Sequence, residues 1–120
     1  MSNTDAFVQR FLGDPNTREV LAWLGEASDA DFRSLGELES TEESIALAKE
    51  IYTAGATEVL AVEIDDYSGG GQNTGKLVIK LPSDGAKRGP VFAWAGAMAE
   101  SQGFDPEEDT GQSYLFVMLD

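Results

Sequence analysis

Apolar and polar positions alternate most regularly between Thr57 and Pro82, TEVLAVEIDDYSGGGQNTGKLVIKLP, and the pattern predicts two β-strands joined by a glycine-rich loop. Side chains alternate along a strand, so Leu60, Val62 and Ile64 share one face while Val59, Ala61, Glu63 and Asp65 share the other. In the second strand Leu77, Ile79 and Leu81 lie opposite Lys76, Val78 and Lys80. Pairing the two apolar faces sets the carboxylates of Glu63 and Asp65 against the ammonium groups of Lys76 and Lys80. Such cross-strand pairs favour one register.

Upstream the period changes from two to about four. Phe7, Val8, Phe11 and Leu12 follow Thr4 or Asp5, either of which can cap a helix that Gly13-Asp14-Pro15 ends. A second short helix, begun by Asn16 or Thr17, carries Val20, Leu21, Trp23 and Leu24 up to Gly25. Residues 33–39 read as a strand. Ser40-Thr41-Glu42-Glu43 forms a capping box and predicts a helix over 41–54 that buries Ile45, Ala48, Ile51 and Tyr52. Pro90 suits the first turn of a helix, which predicts a last helix over 90–102. Its small residues Ala93, Ala95, Gly96, Ala97 and Ala99 would permit a close approach to the sheet. Residues 113–119 close the chain as a strand.

From Arg33 onward the order is strand, helix, strand, strand, helix, strand. This order matches the α+β ferredoxin-like βαββαβ sandwich, a four-stranded antiparallel sheet with two helices on one face. The expected division is 1–27 as a helical extension packing on the domain and 28–120 as the ferredoxin-like α+β domain. The last strand, Ser113-Tyr114-Leu115-Phe116-Val117-Met118-Leu119, is apolar on both faces, so the second face of the sheet needs a cover. The helices of 1–27 are expected to supply it, with a homodimer through the outer sheet face as the alternative.

Composition narrows the chemistry. The 120 residues contain no histidine and no cysteine, which removes hydrolytic triads, imidazole zinc sites and thiol catalysis. With 22 acids against 8 bases the formal charge is −14, so nucleic acid and anionic membranes are poor partners and a cationic protein or peptide is the expected one. No apolar run is long enough to span a bilayer and no basic-then-apolar leader opens the sequence, so the expectation is a cytoplasmic protein.

Gly70-Gly71-Gln72-Asn73-Thr74-Gly75-Lys76-Leu77 matches most of a phosphate-binding loop, but Leu77 replaces the magnesium-binding hydroxyl and Lys76 opens a strand instead of a helix. Nucleotide binding is therefore not expected, nor is any other cofactor. At about ten residues the loop exceeds the usual hairpin connection, which nominates Asp65, Asp66, Tyr67 and Asn73 as a binding site. Asp105, Glu107 and Asp109 stand at alternate positions, as the first ligands of a calcium loop do, although Thr110 and Phe116 replace its glycine and its bidentate glutamate. They are the candidate metal ligands. No pair of carboxylates is singled out for catalysis. The expected function is a non-enzymatic protein-interaction or regulatory module. The alternative is a small-molecule or divalent-cation binding domain that uses the glycine-rich loop and the acidic C-terminal loop.

Overall fold

The computed structural model of the chain describes residues 3–67 and 69–119. Its elements are α1 (Asn3–Leu12), β1 (Arg18–Glu19), α2 (Val20–Gly25), β2 (Arg33–Leu35), α3 (Thr41–Ala54), β3 (Glu58–Ala61), β4 (Asp65–Asp66), β5 (Gln72–Thr74), β6 (Lys76–Lys80), α4 (Gly85–Ser101) and β7 (Tyr114–Met118). Together they make a mixed α+β fold. An antiparallel sheet in the order β1-β3-β6-β7 is joined by a smaller one, β2-β5-β4.

Both sheets grow from the same hairpin. β3 pairs with β6 and β4 with β5 in one continuous register, from Glu58 opposite Lys80 to Asp66 opposite Gln72. Glu63, in the left-handed region at φ 51°, marks the bend between the two halves. Pairing continues to the Tyr67 N–H, which donates to the Gly71 carbonyl at 3.0 Å, so most of the expected loop is ladder. We call this outer half of the hairpin the arm.

The ferredoxin-like strand order is not the one observed. It would place residues 33–39 between the second hairpin strand and the last strand, whereas β6 bonds directly to β7. β2 instead runs parallel to β5, held by Gln72 N–H to the Phe32 carbonyl at 2.7 Å and Gly36 N–H to the Thr74 carbonyl at 2.8 Å. The physical reason is the arm: by extending past the main sheet it offers β5 as an edge with unpaired backbone groups, and β2 satisfies them.

The predicted pairing of faces also changes. Val59 lies opposite Ile79 and Leu60 opposite Val78, so the two faces of the hairpin are both apolar. Val59, Ala61, Leu77 and Ile79 enter the main core with Ala48 and Ile51 of α3, Val91 of α4 and Trp23 and Leu24 of α2. On the other face Val62 and Val78 meet Val8 and Phe11 of α1, with Leu60 and Phe116 alongside. Covering both faces makes a three-layer arrangement in which both apolar faces of the hairpin are buried. Thus α1 occupies the outer sheet face, and α2 packs inside. Lys76 does meet Glu63, in an ion pair, while Lys80 lies opposite Glu58 and not near Asp65 in register.

Ser40 caps the helix as read, with Glu43 N–H donating to Ser40 Oγ at 3.0 Å, while the Glu43 carboxylate accepts from the Ser40 hydroxyl at 3.2 Å instead of its backbone N–H. The last helix begins five residues earlier than Pro90 suggested. Asp84 starts it, accepting Ala86 N–H on its side chain at 2.9 Å and Lys87 and Arg88 N–H on its carbonyl, which leaves Pro90 inside the helix.

Candidate functional site

Three places carry unusual chemistry, and the first is the arm. Gly69, Gly70 and Gly71 have φ of 98°, 104° and 108°. A Cβ on Gly70 would stand 2.5 Å from the Ala30 carbonyl oxygen, and one on Gly71 would stand 3.0 Å from that of Phe32. The glycines therefore serve a turn and a close backbone approach, the two tasks no other residue performs cheaply. Asn73 is used internally, donating to Ser34 Oγ and to the Gly36 carbonyl, both at 3.0 Å. Asp65, Asp66 and Tyr67 stay exposed, Tyr67 at 55%. Of the four nominated binding residues, three face solvent at the outer edge and the fourth is a structural clamp.

A polar cleft of about 180 Å³ lies at the base of the arm, lined by Asn16, Arg18, Ile64, Asp66 and Gln72 above the fully buried Trp23. A relay orders it. The Trp23 indole donates to Gln72 Oε1 at 2.8 Å, and Gln72 Nε2 donates to Asp66 Oδ1 at 2.5 Å. Arg18 is paired with Glu26, and that hydrogen bond holds the Glu26 carboxyl below its ordinary value. Arg33 seals the floor, donating to the Trp23 carbonyl at 2.8 Å and to Asp31. Behind it, burial would raise the Glu19 carboxyl, but donation from the Tyr52 hydroxyl and two α2 amides outweighs burial and lowers it. Tyr52 in turn is pushed up to about 12 by burial and by that bond.

The third place is a groove of about 210 Å³ between α4, the acidic loop and β7. Ala95 and Ala99 floor it, one turn apart on α4. Phe104 and Met118 stand at its rims, 50% and 37% exposed, and Phe116 and Val117 form the β7 wall. Gly96 faces the loop, where a Cβ would meet Pro106 in ordinary van der Waals contact at 3.4 Å. The small residues of α4 thus face the loop as well as the sheet.

The candidate metal ligands belong to this loop and turn to separate partners. Glu107 accepts from the Thr4 hydroxyl and from Phe116 N–H at 3.3 Å. Asp109 is held by Arg88 at 2.8 and 3.1 Å and by Gly111 N–H at 3.0 Å, and the Arg88 bonds keep its carboxyl below the ordinary range. Asp105 is exposed at the groove. Among the described residues no group of three or more acidic side chains is arranged to hold a metal ion.

Sequence reasoning missed Arg18 and Gln72 of the cleft and Phe104 and Met118 of the groove. Phe104 did leave a signal, as an aromatic residue standing alone in the acidic segment Gly103-Phe104-Asp105-Pro106-Glu107-Glu108. The cleft left none, because it joins distant parts of the chain, with Trp23 and Gln72 bonded across 49 positions. No protein-family model, curated protein or solved structure matches the chain. No helix among the described residues is long and apolar enough to cross a membrane.

Proposed function

We propose that the protein is a non-enzymatic interaction module that recognises a cationic protein or peptide. The observation that carries this reading is how the bases are used. Arg33 and Arg88 are buried and bonded to backbone carbonyls and carboxylates, Arg18 and Lys76 sit in ion pairs, and Arg10 lies over the Phe7 ring. Among the described residues 16 acids are exposed but only four bases, Arg10, Lys49, Lys80 and Lys87, against 22 and 8 in the sequence. The solvent-facing charge is thus more one-sided than the composition, and a field of one sign steers an opposite partner.

The test is fluorescence anisotropy with a labelled oligolysine peptide, and oligoglutamate as control. Binding of oligolysine should weaken steeply as added salt shortens the screening length from about 30 Å at 0.01 M to about 8 Å at 0.15 M. Affinity indifferent to salt, or equal for the two peptides, overturns the reading. The polar cleft favours a second reading, a small-molecule binding domain, because it offers both an arginine and a carboxylate within one recess. Free amino acids would then raise the melting temperature by linkage, and a flat response removes that reading.

A further inference from the structure

We infer that the groove between α4, the acidic loop and β7 receives one aromatic side chain from a peptide segment flanked by lysine or arginine. The inference rests on the cationic-partner reading and says where and how such a partner is held.

Volume sets the size of the occupant. A dry cavity of about 150 Å³ holds a benzene ring, whereas sites for drug-sized ligands run from about 300 to 1,000 Å³. At about 210 Å³ the groove fits a single phenyl or indole ring and little more. Its lining is apolar apart from Asp105 and Glu107 and is already half assembled: Ala95 and Ala99 leave room where a larger side chain would fill it, and Phe104 and Met118 flank the opening. A ring inserted there covers the exposed parts of both, and aromatic anchors seated in such pockets dominate many interfaces.

The mode follows from the edge of β7. A partner strand added to that edge needs its outward N–H groups, and two are already taken: Tyr114 N–H donates to Asp5 Oδ1 at 3.0 Å and Phe116 N–H to Glu107 Oε2 at 3.3 Å. These carboxylates stand where a neighbouring strand would offer carbonyls, a device that blunts edges against pairing. Recognition by strand addition is therefore disfavoured, and insertion of a side chain remains.

Charge sets what flanks the ring. Asp105 and Glu107 line the groove, and no lysine or arginine does. Arg88, the base that reaches this loop, is consumed by Asp109 and the Pro82 and Gln112 carbonyls. A basic residue beside the inserted ring meets uncompensated carboxylate, while an acidic one is repelled.

Three labelled peptides test this: Arg-Arg-Trp-Arg-Arg, the same peptide with alanine at the centre, and Glu-Glu-Trp-Glu-Glu. The first should bind about ten- to a hundredfold tighter than the second, the range expected for burying one large apolar side chain, and the third should not bind. Ala99→Phe fills the groove and should reduce the tryptophan peptide to the level of the alanine one, leaving the salt-sensitive remainder. Should that variant lose its fold by circular dichroism, the Met118 methyl resonance of the unaltered protein decides, since it should shift with the tryptophan peptide and not with the alanine one. Equal, salt-sensitive binding of both basic peptides overturns the groove and leaves the cationic reading standing. No binding of either at low salt overturns both. Self-association that Ala99→Phe abolishes would assign the groove to a second copy of the chain and overturn the peptide proposal.

Discussion

The arm and the groove sit on the same protein and resolve their chemistry in opposite ways. Polar groups at the base of the arm find partners within the chain, Trp23 to Gln72, Gln72 to Asp66, and Asn73 to Ser34 and Gly36, while Asp65 and Tyr67 face solvent. The groove leaves apolar surface open and Asp105 unpartnered among the described residues. Two of the five large hydrophobic residues exposed among the described residues, Phe104 and Met118, stand at this one opening. Residues that complete the fold should therefore be expensive to change in the arm. Residues in the groove should be cheap for folding and costly for binding.

The largest effect is expected at Gly70. Gly70→Ala combines a φ of 104° with a Cβ 2.5 Å from the backbone oxygen of Ala30, and should cost about 3 kcal/mol or more. Urea denaturation reads it directly. A loss below about 1 kcal/mol would mean that the arm tip moves freely and would return its glycines to the role of a flexible loop. Next comes Gln72→Leu, which leaves the buried Trp23 N–H without an acceptor and should cost about 1–3 kcal/mol. Phe104→Ala should come third, within about 0.5 kcal/mol of the parent in the same assay, because half of that side chain is already in water. Comparable losses at Phe104 and Gln72 would erase the distinction between the two regions.

How much of this the sequence disclosed depends on the range of the interaction. Local signals were sufficient: the Ser40 capping box, the hairpin of β3 and β6, and the two apolar faces of β7 that require a cover, which α1 supplies through Phe7 and Phe11 against Phe116 at ring separations of 5.0 and 5.7 Å. The pairing of the hairpin faces was misread because both faces are apolar, and alternation then no longer tells inside from outside. Asp84 overrode Pro90 as the start of α4, because its side chain and carbonyl accept the first amides, and Pro90 then stands inside the helix without an N–H to donate. The docking of β2 on β5 has no local signature in three residues. The candidate sites divided the same way: Asp65, Asp66 and Tyr67 were visible as a polar loop, whereas the groove needed Ala95, Phe104 and Met118 brought together from two elements and a loop.

The smallest effect tests how the groove keeps its wall. The acidic loop is clamped at Asp109, whose carboxyl is lowered first by the Arg88 hydrogen bonds and then by Gly111 N–H. A carboxylate lowered in the folded state stabilises it above the unfolded value, near pH 4, and that contribution is lost as pH falls through the lower folded value. Stability should therefore hold through the neutral range and decline in acid below about pH 4, with Asp109→Asn flattening part of that decline while lowering stability at pH 7. Asp109 is exposed, so solvent screening keeps the change small. The distinguishing feature is what Asp109→Asn changes: between pH 7 and pH 3 it should alter the acid shifts of the Phe104 and Met118 resonances and leave unchanged those of Trp23, which follow the separate carboxylates Glu19 and Glu26. An altered acid response of Trp23 in the same variant would show that the two regions unfold as one unit, and that the contrast between a closed arm and an open groove lies in their surfaces alone.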